Sequence, residues 1–330
     1  KAYAFLMKIY KANNQNIKLA ATLLNNEGIV AFPTETVYGL GALASNKNAV
    51  KRIYKVKGRP NNNPLIVHIY KIEQLLSIVE NIPLDVMKLI KKYWPGPLTI
   101  VLPYNTSSNI SSIARAGLNT VALRMPNHPV ALKLLKTVDA PLIAPSANIS
   151  QHLSPTSAQH VKNDLSSKLD QKNDMILDSG NTEIGLESTV IDFTKAIPTV
   201  LRPGGLNISL INKIVKTSYV ESNINEKKPE SPGLFKKHYS PNASLRLNAD
   251  YPLKGEAWLG FGEDPKNLNN FVKMNLSKNK NLEEAAKNLF SMLRYLDKKN
   301  VKKIAVKKIQ NKGIGIAIND RLNRGAANKS

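Results

Sequence analysis

Residues 55–68, KVKGRPNNNPLIVH, bring together side chains that could bind phosphate groups. Lys57 and Arg59 flank a glycine, and a proline and three asparagines then lead into an apolar run that ends at His68. Arginine can hold phosphate oxygens with forked hydrogen bonds, whereas lysine supplies a point charge. A structural role is equally open, because lysines and a glycine commonly end a helix and a lone histidine is more often a core residue than a ligand.

Polar side chains also follow several other segments that read as strands. FPTETVYGLG offers threonine hydroxyls and two glycines, although a polar turn is the simpler interpretation of that stretch alone. APSANIS places Ser146 and Asn148 two residues apart after a strand, where open α/β sheets bind their ligands. Three further motifs contribute one residue each: Arg124 in VALRMP, Ser188 in GLESTVID and Arg202 in LRPGG. Each signal is weak alone, but together they indicate a nucleotide or amino-acid site.

The usual nucleotide and metal motifs are not found in the sequence. It contains no G-x-x-x-x-G-K-[ST], no G-x-G-x-x-G and no H-E-x-x-H, so we expect neither a P-loop, a dinucleotide fingerprint nor a protein-bound zinc ion. It contains no cysteine, which excludes disulfides, thiolate ligands and a cysteine nucleophile. Phosphate binding would therefore depend on separate cations and hydroxyls, with no metal ligands from the protein.

Length and composition set the broad class. A chain of 330 residues with 42% hydrophobic residues suits two globular domains. No apolar run approaches the ~20 residues that cross a bilayer, and the apolar patch at residues 3–7 is short for a secretory signal, so we expect a cytoplasmic protein without a membrane segment. The net charge of +23 suits a polyanion such as RNA. Lysine and asparagine are abundant throughout, however, as a genomic bias would produce, so RNA binding stays open.

Hydrophobic periodicity predicts the elements that position these residues. Strands are predicted at 28–32, 65–69, 98–102, 120–124, 142–144 and 188–193, and helices at 46–56, 84–93, 130–136 and 157–169. This alternation predicts an α/β or mixed-sheet domain that extends to about residue 210. The polar segment 217–243 shows neither period and is either a linker or a functional lid. Beyond it, strands at 257–261 and 303–306 and helices at 282–297 and 314–324 predict a second, smaller α/β domain.

Seven segments, in order, resemble the YrdC-like domain of threonylcarbamoyl-AMP synthases. They are FPTETVYGLG, KGRPNNNPLIVH, WPGPLT, TVALRMPNHP, APSANIS with SPTSAQHV, GLESTVID and LRPGG. SPGLFKKHYSP and GIGIAINDRLNRGA resemble the linker and the extra domain of the two-domain form. The resemblance implies a YrdC-like catalytic domain at 1–213, built on a twisted open mixed sheet with flanking helices. It further implies a linker or active-site lid at 214–241 and a smaller, Rossmann-like C-terminal α/β domain at 242–330.

The resemblance implies a nucleotidyltransferase that condenses L-threonine, bicarbonate or CO2 and ATP into threonylcarbamoyl-AMP and pyrophosphate. Mg2+ would enter with ATP, and other enzymes would transfer the threonylcarbamoyl group to adenosine beside the anticodon of tRNA. One alternative is a double-stranded RNA or ribosome-binding module without turnover, and weak binding of tRNA would fit either protein. A second alternative is a carbamoyl-adenylate enzyme with another acceptor, although such enzymes usually carry zinc-finger cysteines.

The resemblance also assigns roles to single residues. The catalytic set is Lys57, Arg59, Ser146 and Asn148. The threonine-binding set is Thr36, His68, Arg124 and Ser188. The ATP-binding set is Arg59, Asn63, Thr120, Ser146, Ser154, Arg202 and Tyr239. Residues 231–241, with Lys236, Lys237, His238 and Tyr239, are expected to fold over the nucleotide as a lid. Gln151 stands where the family often has glycine, so loop 151–154 departs from the family pattern.

Overall fold

The fold is known from a computed structural model, which describes residues 7–219, 238–299 and 301–327. Its larger sheet has eleven strands in the order β1-β8-β2-β3-β7-β4-β6-β5-β9-β10-β11, with parallel and antiparallel pairs mixed. The strands are β1 Ile9–Lys11, β2 Ile29–Phe32, β3 Gly39–Leu43, β4 Ile66–His68, β5 Leu98–Pro103, β6 Thr120–Arg124, β7 Leu142–Ile143, β8 Asp174–Asp178, β9 Thr189–Asp192, β10 Thr199–Arg202 and β11 Ser218–Tyr219.

Helices cover both faces of this sheet. They are α1 Asn14–Asn25, α2 Lys47–Lys57, α3 Ile72–Ile78, α4 Leu84–Tyr93, α5 Pro129–Val138, α6 Ala158–Leu165 and α7 Ile208–Asn212. Alternate residues of β2 point to opposite faces, so that Ile29 and Ala31 join one core and Val30 and Phe32 the other. The helix predicted to reach residue 169 ends at Leu165, because the chain then makes tight turns that lead into β8.

A second sheet forms the core of the C-terminal unit. Its strands are β12 Ser244–Arg246, β13 Glu256–Gly260, β14 Lys273–Asn275 and β15 Lys303–Val306, and its helices are α8 Leu282–Asp297 and α9 Gly315–Ala326. The order is β12-β15-β13-β14, and all three pairs are parallel. A mixed sheet followed by a smaller α/β unit confirms the predicted fold class. The proposed domain limits at 213 and 241 stay predictions. No helix in the described part of the chain is long and apolar enough to cross a bilayer.

The turn after α2 has the helix-end geometry that its sequence predicts. Asn46 caps the start of α2 by accepting hydrogen bonds from the amides of Asn48 and Ala49. Gly58 ends the helix in the left-handed region at φ 61°, which costs glycine little. The amide of Arg59 then donates to the Tyr54 carbonyl at 2.9 Å, so the chain turns back over the end of the helix.

Strand register places His68, Arg124 and Thr99 side by side across the middle of the large sheet. The parallel pair β4 and β6 sets His68 opposite Arg124. The antiparallel pair β5 and β6 sets Arg124 opposite Thr99. The parallel pair β5 and β9 sets Thr189 opposite Leu98, so Ser188 lies just beyond the end of this row. Four segments far apart in sequence thereby supply one edge of a common site.

The two units share an apolar interface. Leu153 and Leu186 from the first unit belong to the same buried cluster as Leu289 and Phe290 of α8. Gly185, at φ 78°, lies against the main chain of α8 so closely that a Cβ atom there would be 2.6 Å from the Ala286 carbonyl oxygen. The segment leading to Ser188 is therefore built directly onto the C-terminal unit.

Candidate active site

A small cavity of about 40 Å³ collects most of the predicted site residues. Seven of them line it: Arg59, His68, Arg124, Ser146, Ser188, Arg202 and Tyr239. Three others contact these wall residues directly: Lys57 contacts Ser146, Thr36 contacts Arg124 and Asn63 contacts Arg59. Ser154 contacts Glu187, which also lines the cavity, and Asn148 contacts Lys57. The structure thus brings together twelve of the thirteen predicted residues, leaving Thr120 elsewhere. Their roles in binding and catalysis stay predictions.

Arg124 enters the cavity from the end of β6 and is held by the FPTETVYGLG segment. Its Nη2 lies 2.7 Å from the Glu35 carboxylate and donates to Thr36 Oγ1 at 2.9 Å, while its Nε donates to the Gly96 carbonyl at 3.4 Å. Nη1 has no hydrogen-bond partner among the described residues. One edge of the guanidinium is therefore fixed, and Nη1 remains able to donate to an anionic group.

His68 is held as a neutral ring. It is 2% exposed, and its Nδ1 lies 3.2 Å from the Ile66 carbonyl oxygen. Because a carbonyl accepts only, Nδ1 carries the hydrogen and Nε2 is left with a lone pair. Burial, aided by the positive charge of Arg124, lowers the pKa of His68 to about 3. The ring therefore acts as a hydrogen-bond acceptor and is too weak a base to take a proton near neutrality.

Lys57 holds the loop that carries Ser146 and Asn148. Its Nζ donates to the Ser146 carbonyl at 2.5 Å and to the Asn148 carbonyl at 2.6 Å, and it is 1% exposed. Its own carbonyl accepts from the Ser150 amide at 2.8 Å. Burial and the nearby charge of Arg59 lower the pKa of Lys57 well below its usual value. The structure therefore gives Lys57 a positioning contact with the Ser-x-Asn loop, and it does not line the cavity.

Arg59 is fixed by the asparagine turn that follows it. Its Nη2 donates to Asn63 Oδ1 at 2.5 Å and to the Pro64 carbonyl at 2.8 Å, and its Nε donates to the Asn63 carbonyl at 3.1 Å. Burial lowers the pKa of Arg59 to about 10, so the guanidinium stays charged at neutral pH. Asn63, the last of the three asparagines after Arg59, and the Pro64 carbonyl thus orient the guanidinium, and Nη1 takes part in none of these hydrogen bonds.

Ser188 and Arg202 form another part of the cavity wall. Arg202 donates from Nε and Nη2 to the Ser188 carbonyl, at 3.2 and 2.9 Å, and from Nη2 to Ser188 Oγ at 3.2 Å. Ser188 Oγ also lies 2.7 Å from Thr99 Oγ1, the residue opposite Arg124 in the strand register. Sequence reasoning missed Thr99, which lies inside the predicted strand 98–102 and carried no separate signal.

His238 and Tyr239 close the cavity from the segment between the two units. Tyr239 is 2% exposed, has φ 60° and stacks on Phe290 of α8 at 5.8 Å between ring centroids. Burial and the cations Arg59 and Lys57 lower the pKa of His238 well below its usual value. The remainder of the predicted lid, at residues 231–237, lies outside the described residues. Of the described residues 238–241 of this segment, His238 and Tyr239 lie in the cavity wall.

Comparison with known proteins shows the family of the chain. A family model described as "Telomere recombination" matches residues 22–204, and one described as "Threonylcarbamoyl-AMP synthase, C-terminal domain" matches residues 196–327. The threonylcarbamoyl-AMP synthase of Pyrococcus abyssi is 40% identical over 328 residues, which are 94% of this chain and 94% of that protein. The Bacillus subtilis protein of the same name is 39% identical over 333 residues, 96% of this chain and 94% of that protein.

The chain belongs to the threonylcarbamoyl-AMP synthase family. A solved structure agrees: the crystal structure of P. abyssi Sua5 complexed with L-threonine has a TM-score of 0.87 and 38% sequence identity, and the match covers 97% of both chains. The predicted membership of the two-domain threonylcarbamoyl-AMP synthases is confirmed by these matches across both units.

Two residues of this family member, Glu187 and Arg321, were given no role in the sequence analysis, and they form an ion pair of which Glu187 lines the cavity. Glu187 is 5% exposed and accepts hydrogen bonds from Ser154 Oγ and from Arg321 Nε, the latter at 2.7 Å. Burial alone raises the pKa of the Glu187 carboxyl, but Arg321, Arg202 and Ser154 outweigh it and hold the pKa below its ordinary value. The GLESTVID motif pointed to Ser188 only, and nothing in the sequence linked its glutamate to Arg321.

Thr120 is the one predicted ATP contact that lies apart from the cavity. It begins β6, whereas Arg124 ends that strand, and it lines a separate cavity of about 170 Å³ with Asp192 and Thr194. A further cavity, of about 490 Å³, lies beside α9 with Tyr219 in its wall and contains none of the predicted site residues. In the described part of the chain, no group of three or more His, Asp or Glu side chains could hold a metal ion.

Proposed function

We propose that the chain catalyses the condensation of L-threonine, ATP and bicarbonate or CO2 into L-threonylcarbamoyl-AMP and pyrophosphate. The observation that carries the proposal is the placement of two sets of groups in one cavity. Arg124 and His68, from neighbouring strands, suit an amino acid, whereas Arg59 and Arg202 suit a polyphosphate. The reaction joins these two substrates, and a single site that binds both is what it requires.

Threonine fits the β4–β6 side of the cavity. Its carboxylate would accept from Arg124 Nη1, the donor left over after Glu35 and Thr36 have fixed the other edge of the guanidinium. Its hydroxyl would donate to the lone pair of His68 Nε2. Ser188 would complete this set, and the P. abyssi structure with L-threonine supports an amino-acid site in this fold.

ATP fits the side formed by Arg59, Ser146 and Arg202. In the reaction, a carbamate oxygen forms a bond to the α-phosphorus and the bond from that phosphorus to the bridging oxygen breaks, so pyrophosphate leaves with the electron pair. Arg59 Nη1 and Arg202 are placed to stabilise the charge that moves onto pyrophosphate. The Mg2+ ion that accompanies ATP would share this neutralisation. Ser154 has given its hydrogen to Glu187, so it can only accept from a ribose hydroxyl or the adenine amine.

Substrate entry requires part of the wall to move. A cavity of about 40 Å³ is far below the ~300–1,000 Å³ of ordinary small-molecule sites, so it cannot hold ATP and threonine as it stands. His238 and Tyr239 come from the connecting segment and cover the cavity, and they are the residues we propose to move. Their return over the substrates would exclude water and retain the intermediate.

The wider setting is also proposed. The product is an activated acyl donor, and tRNA-modifying enzymes would transfer its threonylcarbamoyl group to adenosine next to the anticodon. A cytoplasmic location suits that role, and the net charge of +23 would favour weak contact with tRNA.

The test is pyrophosphate release by the full chain with ATP, Mg2+ and bicarbonate, with and without L-threonine. We expect release that depends on threonine and on inorganic carbon, together with a product of the mass of threonylcarbamoyl-AMP. Threonine-independent release, or salt-sensitive RNA binding without turnover, would contradict the proposal and favour the RNA-binding alternative.

A further inference from the structure

Glu187 is held by one side chain from each structural unit. Ser154 of the first unit donates to its Oε1, and Arg321 of α9 donates to its Oε2 at 2.7 Å. Glu187 lies on the cavity wall directly before Ser188. Both oxygens of this carboxylate are therefore fixed, and one of them is fixed only because the C-terminal unit is docked.

Arg321 is fully committed to this interface. It is 1% exposed, its Nη1 donates to Asp320 Oδ2 at 2.5 Å, and its guanidinium carbon lies 4.7 Å from the centre of the Tyr239 ring. Its Nη2 has no partner among the described residues. Burying a guanidinium is costly unless its charge is paired, and besides Asp320 the neighbours that Arg321 contacts are Glu187 and Tyr239 of the cavity wall.

Arg294 of α8 holds the main chain of the segment that carries Ser154. Its Nη2 donates to the Leu153 carbonyl and its Nε to the Ser154 carbonyl at 3.4 Å. The guanidinium is anchored by Asp164 of α6, with Nη2 and Oδ2 2.6 Å apart. The helices α8 and α9 of the C-terminal unit thus each send one arginine to the Ser154–Glu187 pair: Arg294 holds the Ser154 main chain and Arg321 holds the Glu187 carboxylate.

We propose that Arg321 and Arg294 are positioning residues that clamp Ser154 and Glu187 from the C-terminal unit, and so set substrate affinity in the cavity. This inference rests on the proposed function. Neither arginine lines the cavity, so each acts through the residue it holds. The second unit is then a structural part of the active site and not an appended module.

The clamp has an electrostatic consequence that a purely structural contact would lack. Burial by itself raises the pKa of Glu187, and Arg321 is the largest of the opposing influences. Without Arg321 the carboxyl would take up a proton at a higher pH, and its hydrogen bond with Ser154 would be rearranged. The Ser154 hydroxyl would then lose its fixed position as the pH falls.

The experiment compares Arg321→Met and Arg294→Met with the wild-type full chain in threonine-dependent pyrophosphate release from pH 5 to 9. We expect kcat/KM for ATP and threonine to fall ~10–10²-fold in each variant, the scale of a misplaced site group. For Arg321→Met alone, we also expect the acid limb of the profile to move to higher pH. Adding Glu187→Gln to Arg321→Met should remove that acid limb without a second, comparable fall in kcat/KM.

Arg246→Met is the matched control, because Arg246 pairs with Glu256 at 2.6 Å within the same unit but away from the cavity. It should lower the thermal midpoint while leaving both KM values and the pH profile unchanged. Wild-type kinetics and pH dependence in folded Arg321→Met, or the same kinetic shifts in Arg246→Met, would overturn the clamp. Arg321→Lys keeps the charge and is expected to show an intermediate effect if Arg321→Met does not fold.

Amide hydrogen exchange gives an answer that does not depend on turnover. Loss of the clamp should speed exchange in segments 151–155 and 185–188 in Arg321→Met, with no such change in Arg246→Met. Faster exchange together with an inactive wild type would refute the proposed function but support the clamp. Unchanged exchange in a wild type that is active would refute the clamp and leave the proposed function standing.

Discussion

His68 stands beside Arg124 because β4 and β6 run parallel with these two residues in register. Burial and this neighbouring positive charge keep the imidazole neutral, with a pKa of about 3. The pair thus presents a permanent hydrogen-bond acceptor next to a permanent cation. A histidine in the site would ordinarily suggest acid–base catalysis, but this one is suited to reading a hydroxyl group.

Stability should therefore depend on His68 below neutral pH. His68 takes up a proton near pH 6.5 in the unfolded chain but only near pH 3 in the folded chain. Its contribution to the free energy of unfolding is therefore complete above pH 6.5 and is lost as the pH falls toward 3. From pH 7 to pH 5 the loss attributable to His68 is about 2 kcal/mol. Urea unfolding of His68→Gln should show a correspondingly shallower decline, with exposed His152→Gln as the control.

The rate of pyrophosphate release should show no inflection from His68 between pH 6 and 8. If the pH–rate profile of the wild type changes slope near pH 6.5 and this change disappears in His68→Gln, then His68 does not act only as a neutral hydrogen-bond acceptor.

Removing Lys57 should disturb the Ser146–Asn148 loop first and the chemistry through it. Lys57→Ala leaves two buried carbonyls without their donor, which costs ~1–3 kcal/mol for each unpaired group. We expect a lower thermal midpoint and a ~10²–10³-fold loss in kcat/KM. Lys55→Ala, on the exposed side of the same turn, is the control and should match wild type in both measurements. A Lys57→Ala protein of wild-type stability but without activity would instead favour direct contact with phosphate.

Amino-acid selectivity should follow the hydroxyl more than the methyl group. Serine lacks only the methyl of threonine, which is worth ~1–3 kcal/mol, whereas valine would leave the buried His68 acceptor unpaired. We expect measurable pyrophosphate release with serine and almost none with valine. In His68→Leu, the difference between the rates of pyrophosphate release with threonine and with valine should become smaller. Comparable rates with valine and threonine in the wild type would rule out a pocket that recognises the hydroxyl group.

Tyr239→Ala should loosen retention of the intermediate more than it weakens ATP binding. The ring lies on the cavity wall between Phe290 and Arg321, and its removal opens the site to water. We expect similar ATP affinity by calorimetry but faster appearance of free and hydrolysed product in single-turnover quench experiments. Tyr239→Phe keeps the ring and should resemble wild type. Unchanged retention in Tyr239→Ala, and in a chain lacking residues 218–330, would refute the lid.

Local sequence signals predicted the local parts of this site well. The hydrophobic periodicity of residues 46–56, with the lysines and glycine that follow, was enough to predict α2, and the β-branched runs predicted β4 and β6 to within a residue or two. The order of motifs predicted the family. These features depend on neighbours in the chain, so a single sequence contains them.

Features that depend on distant partners were missed. β3 has the sequence GLGAL, which reads as a turn, and it is a strand because β2 and β7 pair with its two edges. α1 was not predicted, although Ile17, Ala20, Ala21 and Leu24 have helical spacing, since asparagines surround them. The Arg321–Glu187 pair joins residues 134 positions apart, and no local pattern encodes such a partner.

The close approach of Gly185 to α8 limits how the two halves of this chain could be exchanged with those of relatives. Any side chain at this position would overlap main-chain atoms of Ala286 and Lys287 at 2.6–2.7 Å. Because the obstacle is backbone, changing the side chains of the helix could not relieve it. A chimaera that grafts another C-terminal unit onto this catalytic unit must therefore reproduce the path of that helix, and matching the identities of its residues would not be enough.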